Sequence, residues 1–257
     1  MAEFTAYEDG VPCWVDVTST DLDRSLAFYT GLFGWEAHPV PQPEAGGYTM
    51  LTLNGRSVAA ASPPPPSGPS GSYWTTYLAS SDVDATAAKI RDAGGTVFME
   101  PFDVFDSGRM TVAQDPTGAV FGVWQAGEHI GAELANEPGT LSWNQCQTDD
   151  PARAAEFYQA VFGYGISEVQ MGEGEPFRVL EVGGRGVGGV RSHITGMGEQ
   201  PHWSTVFAVA DTDETVSRAT ELGGTTVLEP RDLPGIGRLA VLRDPTGAVF
   251  QVMASAG

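Results

Sequence analysis

Two side chains in this sequence have both the chemistry and the setting to move a proton. Asp16 lies in the run CWVDVT, two residues beyond Trp14, and His202 opens HWSTVF, two residues before Ser204. A carboxylate or imidazole among apolar neighbours is a general acid or base candidate, because burial shifts its pKa. Residues able to hold a small molecule share their strands or the matching ones. They are Trp14, Asp16, Thr75 and Trp124 in the first half, and Trp143, His202, Ser204 and Gln251 in the second. Indoles offer flat area on which an aromatic ligand stacks, and the hydroxyl and amide groups would orient it. Arg109 and Arg238 each follow a glycine and could grip an anion, although Asp103 and Asp232 offer simpler partners. The two cysteines, Cys13 and Cys146, have no metal-ligand spacing and read as small buried apolar groups. The glycine-rich run at 183–189 falls in a hairpin rather than between a strand and a helix, so it is no dinucleotide fingerprint.

Composition narrows the partners. The chain has 257 residues and a formal charge of −20, from 13 basic and 33 acidic side chains. The acid is shared between the halves, with 5 basic and 16 acidic residues in 1–128 and 8 and 17 in 129–257. Such a field repels phosphate backbones and anionic lipid, so nucleic-acid and membrane partners are not expected. No apolar run reaches the roughly 18 residues that span a bilayer, and no basic leader precedes the first strand. The expectation is a cytoplasmic protein, monomeric or homodimeric, with a small-molecule partner.

The elements that position these residues come in duplicate. Residues 13–35 match 142–164, and 73–124 share 23 of 52 positions with 202–253 without a gap. Tyr29 and Tyr158, Arg109 and Arg238, and Asp115 and Asp244 pair at the same separation of 129. Two homologous domains, 1–128 and 129–257, are therefore expected, joined by a connector over 126–140.

The spacing predicts a strand at 12–18 and a helix from about Thr20 to Phe33, capped by Thr20 or Asp21 and stopped by Gly34. It predicts a hairpin over 48–53 and 57–61 about Asn54-Gly55. A Pro-rich link over 62–72 leads to a strand at 73–79, a helix at 83–93, and strands at 96–99, 109–114 and 119–124. Asp115-Pro116-Thr117-Gly118 and its copy at Asp244 read as structural turns. The second half repeats the order, giving four βαβββ modules in an α+β fold.

Alternation separates the strand faces. Trp203, Phe207 and Val209 should pack under helices, as should Cys13, Val15 and Val17. That leaves Trp14, Asp16, His202 and Ser204 on the opposite, concave face.

An early strand, a helix reading DRSLAFYTGLFGW and a terminal DPTGAVFGVW resemble the vicinal oxygen chelate superfamily of glyoxalases, bleomycin-resistance proteins and extradiol dioxygenases. The likeness covers nearly the whole chain, twice, and is greatest to a tandem actinobacterial branch that includes a culture-filtrate antigen and proteins called hydroxylases. It implies two cupped mixed β-sheets, each with helices on its convex face. Metal-dependent members place His, Gln or Glu at three kinds of position. Here these correspond to Trp14 and Trp143, to about Thr75 and Ser204, and to Gly122 and Gln251. Of these only Gln251 is a ligand type. His193 and His202 enter only through a shift of register, and the first half has Tyr73 in place of His202. No metal and no cofactor are therefore expected.

The resemblance implies a metal-independent binder of an aromatic or polyketide-like metabolite, for resistance, carriage or sensing, with a cup in each domain. The alternative it implies is a glyoxalase-like lyase or isomerase, or an oxygenase-type enzyme. Asp16 and His202 would then be its acid–base groups. A third possibility is that one cup keeps a ligand while the other serves as scaffold.

Overall fold

The computed structural model describes residues 3–66, 70–170, 175–194, 196–198 and 200–256. The first module is β1 (Pro12–Thr18), α1 (Leu22–Phe33), β2 (Glu36–Pro39), β3 (Thr49–Leu53) and β4 (Arg56–Ser62). The second is β5 (Tyr73–Ala79), α2 (Val83–Asp92), β6 (Thr96–Val104), β7 (Gly108–Gln114) and β8 (Val120–Ala126). The third is β9 (Leu141–Gln147), α3 (Pro151–Phe162), β10 (Gly165–Val169), β11 (Phe177–Val182) and β12 (Arg185–Arg191). The fourth is β13 (His202–Ala208), α4 (Thr212–Glu221), β14 (Thr225–Leu233), β15 (Gly237–Arg243) and β16 (Val249–Ser255).

Local chemistry sets the helix ends. The Asp21 side chain accepts from the backbone N–H of Arg24, and Asp150 does the same for Arg153, so each satisfies a donor that its helix leaves free. Each helix then stops at a glycine in the left-handed region, Gly34 at φ 73 and Gly163 at φ 75.

The modules pair within each half. One sheet runs β2-β3-β4-β1-β5-β8-β7-β6 and the other β10-β11-β12-β9-β13-β16-β15-β14. β1 lies parallel to β4 and β5 parallel to β8, while β1 and β5 meet antiparallel at the centre. Each cup is therefore built from one half of the chain.

The two sheets join through their convex faces. The Thr76 hydroxyl on β5 donates to Asn144 Oδ1 on β9 at 2.8 Å, and the Trp74 and Phe207 rings lie 5.1 Å apart. α1 packs beside α4, and α2 beside α3. The cores are consequently mixed. Phe28 and Tyr29 share one cluster with Phe207 and Phe250, and Phe121 shares another with Phe157 and Tyr158.

Two expectations need correction. Cys13 does not lie with Val15 and Val17 under the helices. A bulge in the pairing between Pro12 and Trp14 breaks the alternation, and Cys13 clusters with Trp14, Trp124 and Ala132. The segment after β8 is also more than a connector. Backbone bonds from His129 to Ser107, from Ala132 to Cys13 and from Glu133 to Ser57 lay it across the first sheet.

Candidate functional site

The concave face of the second sheet encloses a cavity of about 380 Å3, in the range of small-molecule sites. Trp143 and Gln145 on β9, Val206 on β13 and Gln251 on β16 form its floor, and Phe177 on β11 rises along one wall. These strands put alternate residues into the cup, so Trp143 and Gln145 face the cavity while Cys146 is buried in the core behind. The polar floor is neutral. Gln251 Nε2 and Gln147 Nε2 both donate to Ser204 Oγ, at 2.8 and 2.9 Å. Gln147 Oε1 accepts from the backbone N–H of Ile194 at 2.7 Å.

The predicted residues of this half divide. Trp143 and Gln251 line the cavity. Ser204 lies beneath it, held by the two glutamines, and His202 stands beyond it at the end of β13. Burial lowers the His202 pKa, and its Nδ1 lies 2.8 Å from the Gln200 carbonyl oxygen, so the ring is a neutral imidazole donating to that oxygen. Its ring centroid is 6.1 Å from that of His193.

The first cup has the same strand order and a different interior. Trp14, Asp16, Thr75 and Trp124 do point into it, yet Trp14, Asp16 and Trp124 are 3%, 5% and 7% exposed. Asp16 Oδ2 accepts from the Tyr77 hydroxyl at 2.9 Å and the Tyr48 hydroxyl at 3.1 Å, and Trp14 Nε1 donates to Tyr48 at 2.9 Å. Thr75 adds a further side-chain hydrogen bond to Asp16. Burial outweighs these bonds and pushes the Asp16 pKa up to about 6.

His129 closes the mouth. Its ring lies edge-on to Trp14 at 4.4 Å and to Trp124 at 5.7 Å, and burial pulls its pKa down to about 4. The Trp124 indole donates to the His129 carbonyl, and the Tyr7 hydroxyl donates to that of Ala132, which ties the segment down. A pair of exchanged sizes explains the difference between the cups. Tyr77 and Gly122 stand where the second cup has Val206 and Gln251, and a Cβ on Gly122 would sit 2.1 Å from the Tyr77 ring.

The arginines and aspartates singled out by the repeat are structural. Arg109 binds Asp84 in bidentate fashion and Asp103 at 2.9 Å; Arg238 binds Asp213 and Asp232 in the same way. Asp115 Oδ1 accepts from the N–H groups of Thr117, Gly118 and Ala119, while its Oδ2 accepts from the Tyr158 hydroxyl of the other half. Asp244 repeats the turn and accepts from the Ser25 hydroxyl across the same junction.

Residues 13–123 match the Glyoxalase/Bleomycin resistance protein/Dioxygenase superfamily, and 144–253 match a glyoxalase-like domain. A Mycobacterium tuberculosis protein named "Putative glyoxylase CFP32" is 46% identical over 98% of each chain. The anthracycline biosynthesis protein DnrV of Streptomyces peucetius is 41% identical, covering 97% of this chain and 94% of that one. The chain belongs to this superfamily, as two domains in tandem.

Solved structures agree on the superfamily fold. The Mn(II)-bound glyoxalase of Novosphingobium aromaticivorans superposes with a TM-score of 0.67 at 18% identity, over 96% of this chain and 83% of that one. The 2,3-dioxygenase LapB of Pseudomonas sp. KL28 gives 0.69 at 12%, over 98% and 94%.

Some proteins of this fold hold a metal, as the Mn(II)-bound glyoxalase does, but the donors here do not suit one. The second floor offers Gln145, Ser204 and Gln251, all neutral, with the Gln251 amide and Ser204 hydroxyl already bonded to each other. In the first cup the matching positions hold Asp16, Thr75 and Gly122, a single carboxyl that already accepts from the Tyr77 and Tyr48 hydroxyls. Among the described residues no three His, Cys, Asp or Glu side chains converge as ligands. A divalent cation needs several charged or strongly basic donors together, and neither cup fits one.

Sequence reasoning missed Gln145, Phe177, Arg191 and Arg231, all of which line the second cavity. Gln145 was within reach, because it shares a strand face with Trp143.

Proposed function

We propose that the second domain binds a flat, largely apolar small molecule of aromatic or polyketide-like character in its cup, without a metal, and serves resistance, carriage or sensing. The observation that carries this reading is the contrast between the cups. One fold holds a cavity lined by Trp143 and Phe177 in its second copy, while side chains fill the same space in its first. Aromatic rings beside neutral, hydrogen-bonded amide and hydroxyl groups favour stacking and area burial over Lewis-acid chemistry. The names of the Streptomyces relatives, anthracycline biosynthesis proteins, support a fused-ring ligand.

Titration with an anthracycline and a panel of planar aromatics, followed by tryptophan fluorescence, tests this. Saturable quenching with one site per chain, weakened at least tenfold in Trp143→Ala, is the expected result. No quenching by any member of the panel overturns the reading. A glyoxalase-like enzyme is the second reading, favoured by the name carried by the mycobacterial relatives. Stoichiometric metal that survives dialysis, together with turnover of a hemithioacetal, would establish it instead.

A further inference from the structure

The charge distribution within the second cup runs against that of the molecule. The chain has 33 acidic residues, yet no Asp or Glu is among the described residues lining this cavity, whereas Arg191 and Arg231 both are. Most arginines of the described surface are paired. Arg109 and Arg238 each hold two aspartates, Arg178 holds Glu168 and Glu175, and Arg185 holds Glu8. Arg191 and Arg231 have no carboxylate partner among the described residues, and Arg191 Nε donates only a long hydrogen bond, 3.3 Å, to the carbonyl of the adjacent Ser192.

They reach the cavity from opposite sides. Arg191 ends β12, third strand from one edge of the sheet, and Arg231 belongs to β14, the strand at the other edge. They are close enough that the Arg231 charge, added to partial burial, lowers the Arg191 pKa. Two like charges facing one space without a counter-ion leave a demand for an anion there. The first cup carries no such pair, since Ser62 and Phe102 occupy the matching positions.

We infer that the ligand of the second cup is an anionic aromatic, whose rings lie against Trp143 and Phe177 while a carboxylate is held between Arg191 and Arg231. This rests on the proposed binding role and narrows its ligand class. Guanidinium groups suit a carboxylate because their fork of N–H donors matches its two oxygens. The floor amides remain available to orient hydroxyl or carbonyl groups on the ring system. The local pair also offsets the repulsion that a charge of −20 imposes on an approaching anion, which salt screens beyond about 10 Å.

The test compares naphthalene-2-carboxylate with naphthalene-2-carboxamide, of nearly the same shape and uncharged, on the full chain. Fluorescence titration is expected to show the carboxylate binding at least tenfold tighter. Arg231→Gln, at an exposed position, and Arg191→Gln should each remove most of that preference while changing amide affinity less than twofold. Raising NaCl from 50 to 500 mM should weaken the carboxylate alone. Equal affinity for the two probes, or a preference that survives both substitutions, overturns the anionic assignment and leaves the cup as a neutral aromatic site. Binding of neither probe overturns the binding role together with it.

Discussion

Asp16 has two phenols and an indole around it and, among the described residues, no cation in hydrogen-bond reach, so ionising it inside the filled cup is costly. Its pKa rises from an ordinary 3.8 to about 6. The sign follows directly. The folded state keeps the proton at pH values where the unfolded chain has lost it, so stability falls as pH rises from about 4 to about 6 and stays lower above that. At 1.36 kcal/mol per pH unit the difference amounts to roughly 3 kcal/mol. Asp16→Asn stays neutral throughout, so its stability relative to the parent should improve by about that amount between pH 4 and pH 7. Urea unfolding at the two pH values measures it, and a pH-independent difference would contradict the assignment. Alternation in the sequence did place Trp14 and Asp16 on one face. What it lacked was the occupant of the space they face, because His129 arrives from a segment with no periodicity of its own. Arg231 was invisible for a related reason. Pairing of β14 shifts between Leu228 and Arg231, so counting by twos along that strand assigns the wrong face.

At the scale of elements, most of the fold was readable because short-range chemistry marks its ends. Aspartate caps, Gly34, Asn54-Gly55 and the two Asp-Pro-Thr-Gly turns lie where the structure has helix starts, a helix stop and hairpins. β2 was not marked, since its four exposed residues, Glu-Ala-His-Pro, carry no apolar alternation and owe their conformation to pairing with β3. The difference between the cups is likewise a property of paired strands. β5 and β8 run parallel with Tyr77 opposite Gly122, and the missing Cβ lets the Tyr77 ring lie across the strand into the cup. Gly122→Gln alone should therefore destabilise by about 2 kcal/mol or more through overpacking. Tyr77→Val with Gly122→Gln, which copies the second domain, should recover part of that loss, with a coupling of roughly 1–3 kcal/mol in a double-mutant cycle. Thermal unfolding of the two single variants and the double variant gives the coupling directly, and simple additivity would show that the ring and the glycine do not compete for the space.

The duplication suggests two independent bodies, whereas the packing makes them one. Tyr158 on α3 accepts from Trp203 of its own half at 2.6 Å and donates to Asp115 of the other half at 2.9 Å. Tyr29 on α1 accepts from Trp74 at 2.9 Å and bonds Asp244 in the mirrored arrangement. Each turn aspartate thus orders its own last hairpin and anchors the partner half's helix. The apolar clusters cross the same junction, so removing one half would expose Phe28 and Tyr29 or Phe157 and Tyr158 to water. Unfolding should accordingly be a single cooperative transition, with calorimetric and van't Hoff enthalpies in agreement. Tyr158→Phe leaves Asp115 Oδ2 without its phenol donor and the Trp203 N–H without its acceptor, costing about 2 kcal/mol. In a chain of this length that lowers Tm by roughly 4–8 °C. Because the core is shared, the whole transition should move, and a second transition left at the parent temperature would show that the halves unfold separately.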